Sequence, residues 1–155
     1  MTAGQLWARR EALEAEAASL LGHMLFEFSR IDVNLGLCLV WVDDGAKLES
    51  LTPKLAELSF HNKLLQLSEH VETKLPAGSK RRAAYDQWIE RMNSARWRRN
   101  HLVHGRWGIE AHRNVVVNVM GLPTGVQQST EYSIEELAAV NEELKWLERE
   151  LRRLR

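Results

Sequence analysis

Residues 85–105 read YDQWIERMNSARWRRNHLVHG, and the spacing of large side chains in this stretch decides the fold. Tyr85, Trp88, Met92, Ala95, Arg99 and Leu102 recur at intervals of three, four and seven, which predicts one seam of a long helix. The run from about Arg81 to His104 contains no Pro and stops at Gly105, a residue suited to ending a helix. Working towards the N-terminus, LPAGSK (75–80) reads as a loop, and Thr52 followed by Pro53 as the start of a helix reaching about Lys74. From about Gln5 to Trp41, apolar residues at Leu13, Ala17, Leu20, Leu21, Met24, Phe28, Ile31, Leu35 and Cys38 follow helical spacing. A straight helix of that length would span roughly 55 Å, so a break or kink is expected near Gly22, with Asp43, Asp44 and Gly45 as the stop.

Towards the C-terminus the texture changes. RWGIEAHRNVVVNVMGLP places β-branched residues around a polar HRN turn, which predicts a short hairpin at about 106–111 and 115–120. Ser133 with Glu136 forms a capping box that opens a last helix, about Ile134 to Leu154. Its seam is Leu137, Val140, Leu144, Leu147, Leu151 and Leu154. The expected fold is mostly α: a bundle of four to five helices with a β-hairpin before the last one. One domain over residues 1–155 is expected, residues 1–18 extending the first helix.

A chain of 155 residues and 17.9 kDa suits one core, and 45% apolar with 27% charged residues argues against disorder. Basic and acidic residues both total 21, but they are not mixed evenly. Residues 1–79 carry 7 basic and 11 acidic side chains and residues 114–155 carry 5 and 7, whereas residues 80–113 carry 9 and 3. Such segregation predicts an anion-facing surface on an acidic body. The single Cys38 rules out an internal disulfide and a cysteine-rich zinc site, and its apolar setting disfavours a thiolate. No apolar segment of signal type opens the chain, and Leu35 to Val42 is too short for a bilayer, so a cytoplasmic, reduced protein without membrane contact is expected.

Arg99 is the irregular member of its seam. A guanidinium keeps its charge, so at a core position it either snorkels to water at the rim or holds an anion in a cleft, for which its planar fork suits phosphate. Asn100 and His104, four apart, share one helix face with Arg96 a turn earlier, while Arg99 and His104 diverge by roughly 140°. His101 and His104 at i, i+3 lack a carboxylate nearby on the helix, so no metal and no cofactor are expected. His112 reads as solvated, and His23, His61 and His70 as isolated. Trp97 and Trp107 flank the histidines, either as packing or as stacking surfaces for bases. Lys80, Arg81 and Arg82 read as the opening of the third helix.

Arg99-Asn100-His101-Leu102-Val103-His104 resembles the signature of HEPN domains (higher eukaryotes and prokaryotes nucleotide-binding): Arg, four to six residues, then His, with Asn or Asp after the Arg. The helical organisation of residues 19–155 and the Gly105 and Trp107 that follow are also similar to small bacterial members. The resemblance implies a metal-independent endoribonuclease, a toxin or defence protein, acting as a homodimer with both motif helices in one cleft. His104 would be the acid/base for 2′-hydroxyl attack, Arg99 would bind the phosphate, and Asn100 would orient either. Arg96, Arg98, Arg106 and Trp107 would contact the RNA, and an antitoxin is a possible partner. A tyrosine stands two residues after the His in some toxins of this type; here that position is Arg106, so control through that tyrosine is not implied. The alternative is a non-catalytic HEPN-like module for nucleotide or RNA binding or for dimerisation. Trp88, Met92 and Trp97 supply apolar area expected to serve the dimer.

Overall fold

A computed structural model describes residues 1–155, apart from the side chain of Asp43. The chain is mostly helical, with α1 (Ala3–Val40), α2 (Leu48–Leu55), α3 (Phe60–Lys74), α4 (Lys80–His104) and α5 (Ile134–Leu154). A 3-10 turn (Val42–Gly45) follows α1, and β1 (Arg106–Glu110), β2 (Val115–Met120) and β3 (Gln128–Tyr132) lie between α4 and α5. The contacts group into two compact units, one of residues 1–26 and 94–144, the other of residues 27–93 and 145–155. Both are discontinuous, because α1, α4 and α5 each contribute residues to both.

In the second unit, Ile31 and Leu35 of α1, Leu64 and Leu67 of α3, Trp88 and Met92 of α4 and Leu147 and Leu151 of α5 are fully buried. Polar contacts fix the pairing of these helices. Lys63 on α3 reaches Asp32 on α1 at 2.7 Å, Trp88 Nε1 donates to the Leu147 carbonyl at 2.7 Å, and Asn34 Nδ2 donates to Glu148 at 3.1 Å. Lys63 is itself buried, so Asp32 supplies the countercharge that its burial requires. Trp88 and Met92, expected to serve a dimer, are 0% exposed and fill this core instead. The physical reason is the neighbouring α5, whose leucine seam covers the same face of α4.

In the first unit, Leu13, Ala17 and Met24 of α1, Leu102 of α4, Val116 of β2 and Leu137, Val140 and Leu144 of α5 form the core. Asn141 ties α5 to α1 by donating to the Leu20 carbonyl at 3.0 Å. Strands run antiparallel in the order β1-β2-β3, with Trp107 opposite Asn118 and Asn118 opposite Thr130. Asn114 adopts φ 57° in the turn between β1 and β2, a left-handed conformation that Asn tolerates.

A break in the first helix and a helix start at Thr52-Pro53 are corrected, and the expected hairpin stands and is extended. The first helix is continuous through Gly22. One glycine costs about 1 kcal/mol in a helix, less than the burial of Ala17 and Met24 on either side returns. Thr52 and Pro53 do not start a helix: Pro53 lies inside the short α2, and the long helix starts later, where the Ser59 side chain accepts from the Asn62 N–H at 3.1 Å. The hairpin is extended by a third strand, QSTEY, whose residues 128–131 are exposed and carry no apolar alternation. Backbone pairing with β2 makes it a strand. The capping box of α5 stands as expected, with Ser133 and Glu136 bonded reciprocally at 3.1 Å.

Cys38 and Tyr85 lie in the core of the second unit and are both largely shielded from water. Burial pushes the Cys38 thiol above its ordinary value of 9.0, outweighing the opposing pull of Arg155. Burial, then the adjacent Cys38, pushes the Tyr85 phenol above 10.0 against the pull of Arg81. Below 9.0 both groups hold their protons folded or unfolded and contribute no pH dependence. Above the ordinary values the unfolded chain releases protons that the folded chain retains, so stability is lost as pH rises. Thermal melting followed by circular dichroism will therefore show a fall above pH 9.0 that is shallower in a C38A/Y85F double variant. Parallel slopes for the two proteins would contradict this account.

Candidate functional site

The end of α4 is held by side chains from the sheet. A helix leaves its last four carbonyls without intrahelical partners, and Gly105 N–H donates to the first of these, His101 C=O, at 2.9 Å. Asn118 Nδ2 donates to the same oxygen at 3.1 Å, and Trp107 Nε1 donates to Leu102 C=O at 2.9 Å. Asn118 and Trp107 are cross-strand partners in β2 and β1, so one rung of the sheet supplies both caps. Asn118 is 2% exposed, and its hydrogen bond to His101 offsets the cost of burying an amide. Gly105 is required at its position because a Cβ there would collide with the Asn118 amide.

This clamp fixes the helix that carries the candidate residues. His104, its last residue, is exposed, as are His101, Trp97 and Arg98, and Arg106 follows exposed at the start of β1. Trp97, His101 and His104 stand at i, i+4 and i+7 and share the outer face. Asn100, one turn before His104, is half-buried. Arg99 is half-buried on the opposite side, towards the face that carries Met92 and Leu102, and its Nε is shielded from solvent. Arg96 is half-buried too, with its guanidinium carbon 5.4 Å from the Trp97 ring centroid. His101 Nδ1 lies 2.8 Å from the Trp97 carbonyl, and the two rings are 6.4 Å apart.

Other expectations are redistributed. Trp107, expected on the RNA-binding surface, has its indole N–H committed to the Leu102 carbonyl and its ring 5.9 Å from Tyr132. It clamps the end of α4, since a half-buried indole needs an acceptor and the helix end offers one. Part of the basic segment is spent inside the chain. Arg81 donates to Leu154 C=O at 3.4 Å, Arg82 lies 3.8 Å from Asp86, Arg91 lies over the Trp146 ring at 3.8 Å, and Arg113 pairs with Glu131 across the sheet. Arg96, Arg98, Arg99 and Arg106 are the basic residues nearest His104 in sequence, and no acidic residue stands between Glu90 and Glu110. His23, His61 and His112 are exposed and His70 is half-buried. Among the described residues no three His, Cys, Asp or Glu side chains converge on a metal position, and no helix is long and apolar enough to cross a membrane. The second unit also holds a cleft of about 620 Å³ beside Leu37, Trp41, Leu67, Arg81 and Tyr85, and it includes none of the candidate residues.

The clamp residue Asn118 was not among the candidates. Its signal was in the sequence: VVVNVM places one amide in an otherwise apolar strand, and a buried amide demands a partner. Comparisons with protein-family models, curated proteins and solved structures return no match.

The clamp makes a prediction about coupling. Gly105→Ala and Asn118→Ala will each destabilise the fold, on the order of 1–3 kcal/mol, the first by steric collision and the second by the lost cap. In the Asn118→Ala background, Gly105→Ala will cost clearly less, because the colliding amide is gone. Denaturant unfolding of the four proteins measures the cycle, and additive losses would refute the collision.

Proposed function

We propose that this chain is a HEPN-type endoribonuclease that cuts RNA by attack of the 2′-hydroxyl on the adjacent phosphate. The observation that carries this reading is the clamp at the end of α4, where two sheet side chains cap the carbonyls of the turn that presents His104 to solvent. A histidine on a fixed helix end, in a neighbourhood of four arginines, is equipped for proton transfer beside a phosphodiester. The motif Arg99, Asn100 and His104 supplies the groups, and their chemistry calls for no metal. His104 transfers the proton, Asn100 one turn back orients it, and a guanidinium stabilises the charge that develops on the phosphate.

Helical spacing turns Arg99 roughly 140° from His104, so within one chain the two side chains leave the helix in different directions. The proposal therefore includes a homodimer in which Arg99 of one copy serves the phosphate opposite His104 of the other. Exposed Val103 (42%) supplies apolar surface on the motif helix for that association. Arg98 and Arg106, both exposed, steer the polyanion. The biological setting consistent with this chemistry is a toxin or defence protein acting on cellular RNA, with an antitoxin protein as its partner.

The test is incubation of RNA with purified protein in excess EDTA. Wild type is expected to cut, leaving 2′,3′-cyclic phosphate ends, while His104→Ala and Arg99→Ala each lose at least about 10²-fold in rate. Sedimentation is expected to show a dimer. A folded dimer that binds RNA without cutting it would replace this reading with that of a binding module.

A further inference from the structure

We propose that His101 is a second proton-transfer residue of the same site, the general base to the general acid His104, acting on unpaired RNA whose base stacks on Trp97. This rests on the ribonuclease reading above and adds a residue to it.

The argument starts from the tautomer. A carbonyl oxygen only accepts, so the 2.8 Å contact between His101 Nδ1 and the Trp97 carbonyl requires the proton on Nδ1. In the neutral ring Nε2 then carries the lone pair, and the backbone bond fixes the direction in which it points. A ring held through one nitrogen with the other left as acceptor is the arrangement that a general base needs. His101 is exposed, so a substrate has access to it.

Position supplies the second part. Residues three apart on a helix are neighbours, with Cβ atoms about 5–6 Å apart, so His101 and His104 stand side by side on the outer face of α4. One turn earlier on that face stands Trp97, 60% exposed, with its ring 6.4 Å from that of His101. An exposed indole is a platform for a base that has left its helical stack, which selects single-stranded RNA. The Arg96 guanidinium beside the indole and the exposed Arg98 add positive charge to this face.

The step balances within the substrate. His101 Nε2 takes the proton from the 2′-hydroxyl, the 2′-oxygen forms its bond to phosphorus, and the bond from phosphorus to the 5′-oxygen breaks. His104 gives a proton to the departing 5′-oxygen. The products are a 2′,3′-cyclic phosphate and a 5′-hydroxyl, with no oxidant or co-reactant consumed.

The experiment compares two single-stranded oligoribonucleotides in EDTA, one ordinary and one with sulfur in place of the bridging 5′-oxygen at the cut site. A thiolate departs without a proton, so the second substrate dispenses with the acid and still needs the base. His101→Ala is expected to lose roughly 10²–10⁴-fold on both substrates, whereas His104→Ala loses a similar factor on the first and recovers on the second. His101→Asn, which retains an N–H donor for the Trp97 carbonyl but has no basic nitrogen, is expected to be as slow as His101→Ala. Circular dichroism verifies the fold of each variant. If His101→Asn cuts near the wild-type rate, the residue only positions the helix end and the proposal fails. If His101→Ala cuts normally while His104→Ala does not, the ribonuclease reading stands and the second histidine is withdrawn. If wild type cuts neither substrate, both are withdrawn together.

Discussion

The arrangement of the candidate site depends on how the last carbonyls of α4 are satisfied. A helix that ends in water has solvent for its orphan oxygens, but this one ends against a sheet, where each unpaired carbonyl would carry a desolvation cost. Asn118 and Trp107, facing one another across β1 and β2, answer that demand with two side-chain donors, and the Gly105 backbone adds a third. The lack of a side chain at Gly105 then becomes a requirement, because the amide occupies the space a Cβ would need. Local chain geometry, sheet register and the placement of the histidines are thus one problem with one solution.

The same solution separates the two sides of α4. Its inner side carries Trp88 and Met92 into a core sealed by α5, and in the other unit Leu102 is buried. Its outer side leaves Trp97, His101 and His104 to solvent. Arg99 lies between these demands. It sits in the apolar seam by spacing, yet it is only half-buried, with Nε shielded, because a charged head needs a polar environment even when its stem packs. The segregated positive charge is divided likewise. Arg81 caps a carbonyl of α5, Arg91 lies on Trp146, and Arg113 pairs with Glu131, while Arg96, Arg98, Arg99 and Arg106 stand nearest His104 in sequence.

Helices were legible wherever periodicity and a cap agreed. The stretch 85–105 and the Ser133/Glu136 box led to α4 and α5 within a residue of their observed ends. Errors arose where a local signal competed with burial. Gly22 reads as a breaker and Thr52-Pro53 as a starter, but packing carried α1 through the first, and Ser59 capped the next helix in place of the second. The strand QSTEY was not legible because its exposed residues hold no pattern, and its conformation is imposed by hydrogen bonds to β2.

From the sequence alone follow the mostly helical class, the extent of the motif helix, the hairpin, and the grouping of Arg99, Asn100 and His104 near one helix end. These are local properties, written in the 3.6-residue period, in capping residues and in β-branched runs. Only the folded structure decided which surface of α4 is open, that Trp107 clamps the end of α4, that Asn118 caps it, and which acceptor faces Nδ1 of His101. Each of these depends on an acceptor or a covering surface contributed by a residue elsewhere on the chain or by the folded helix itself, and the identity of a side chain does not specify what will lie against it.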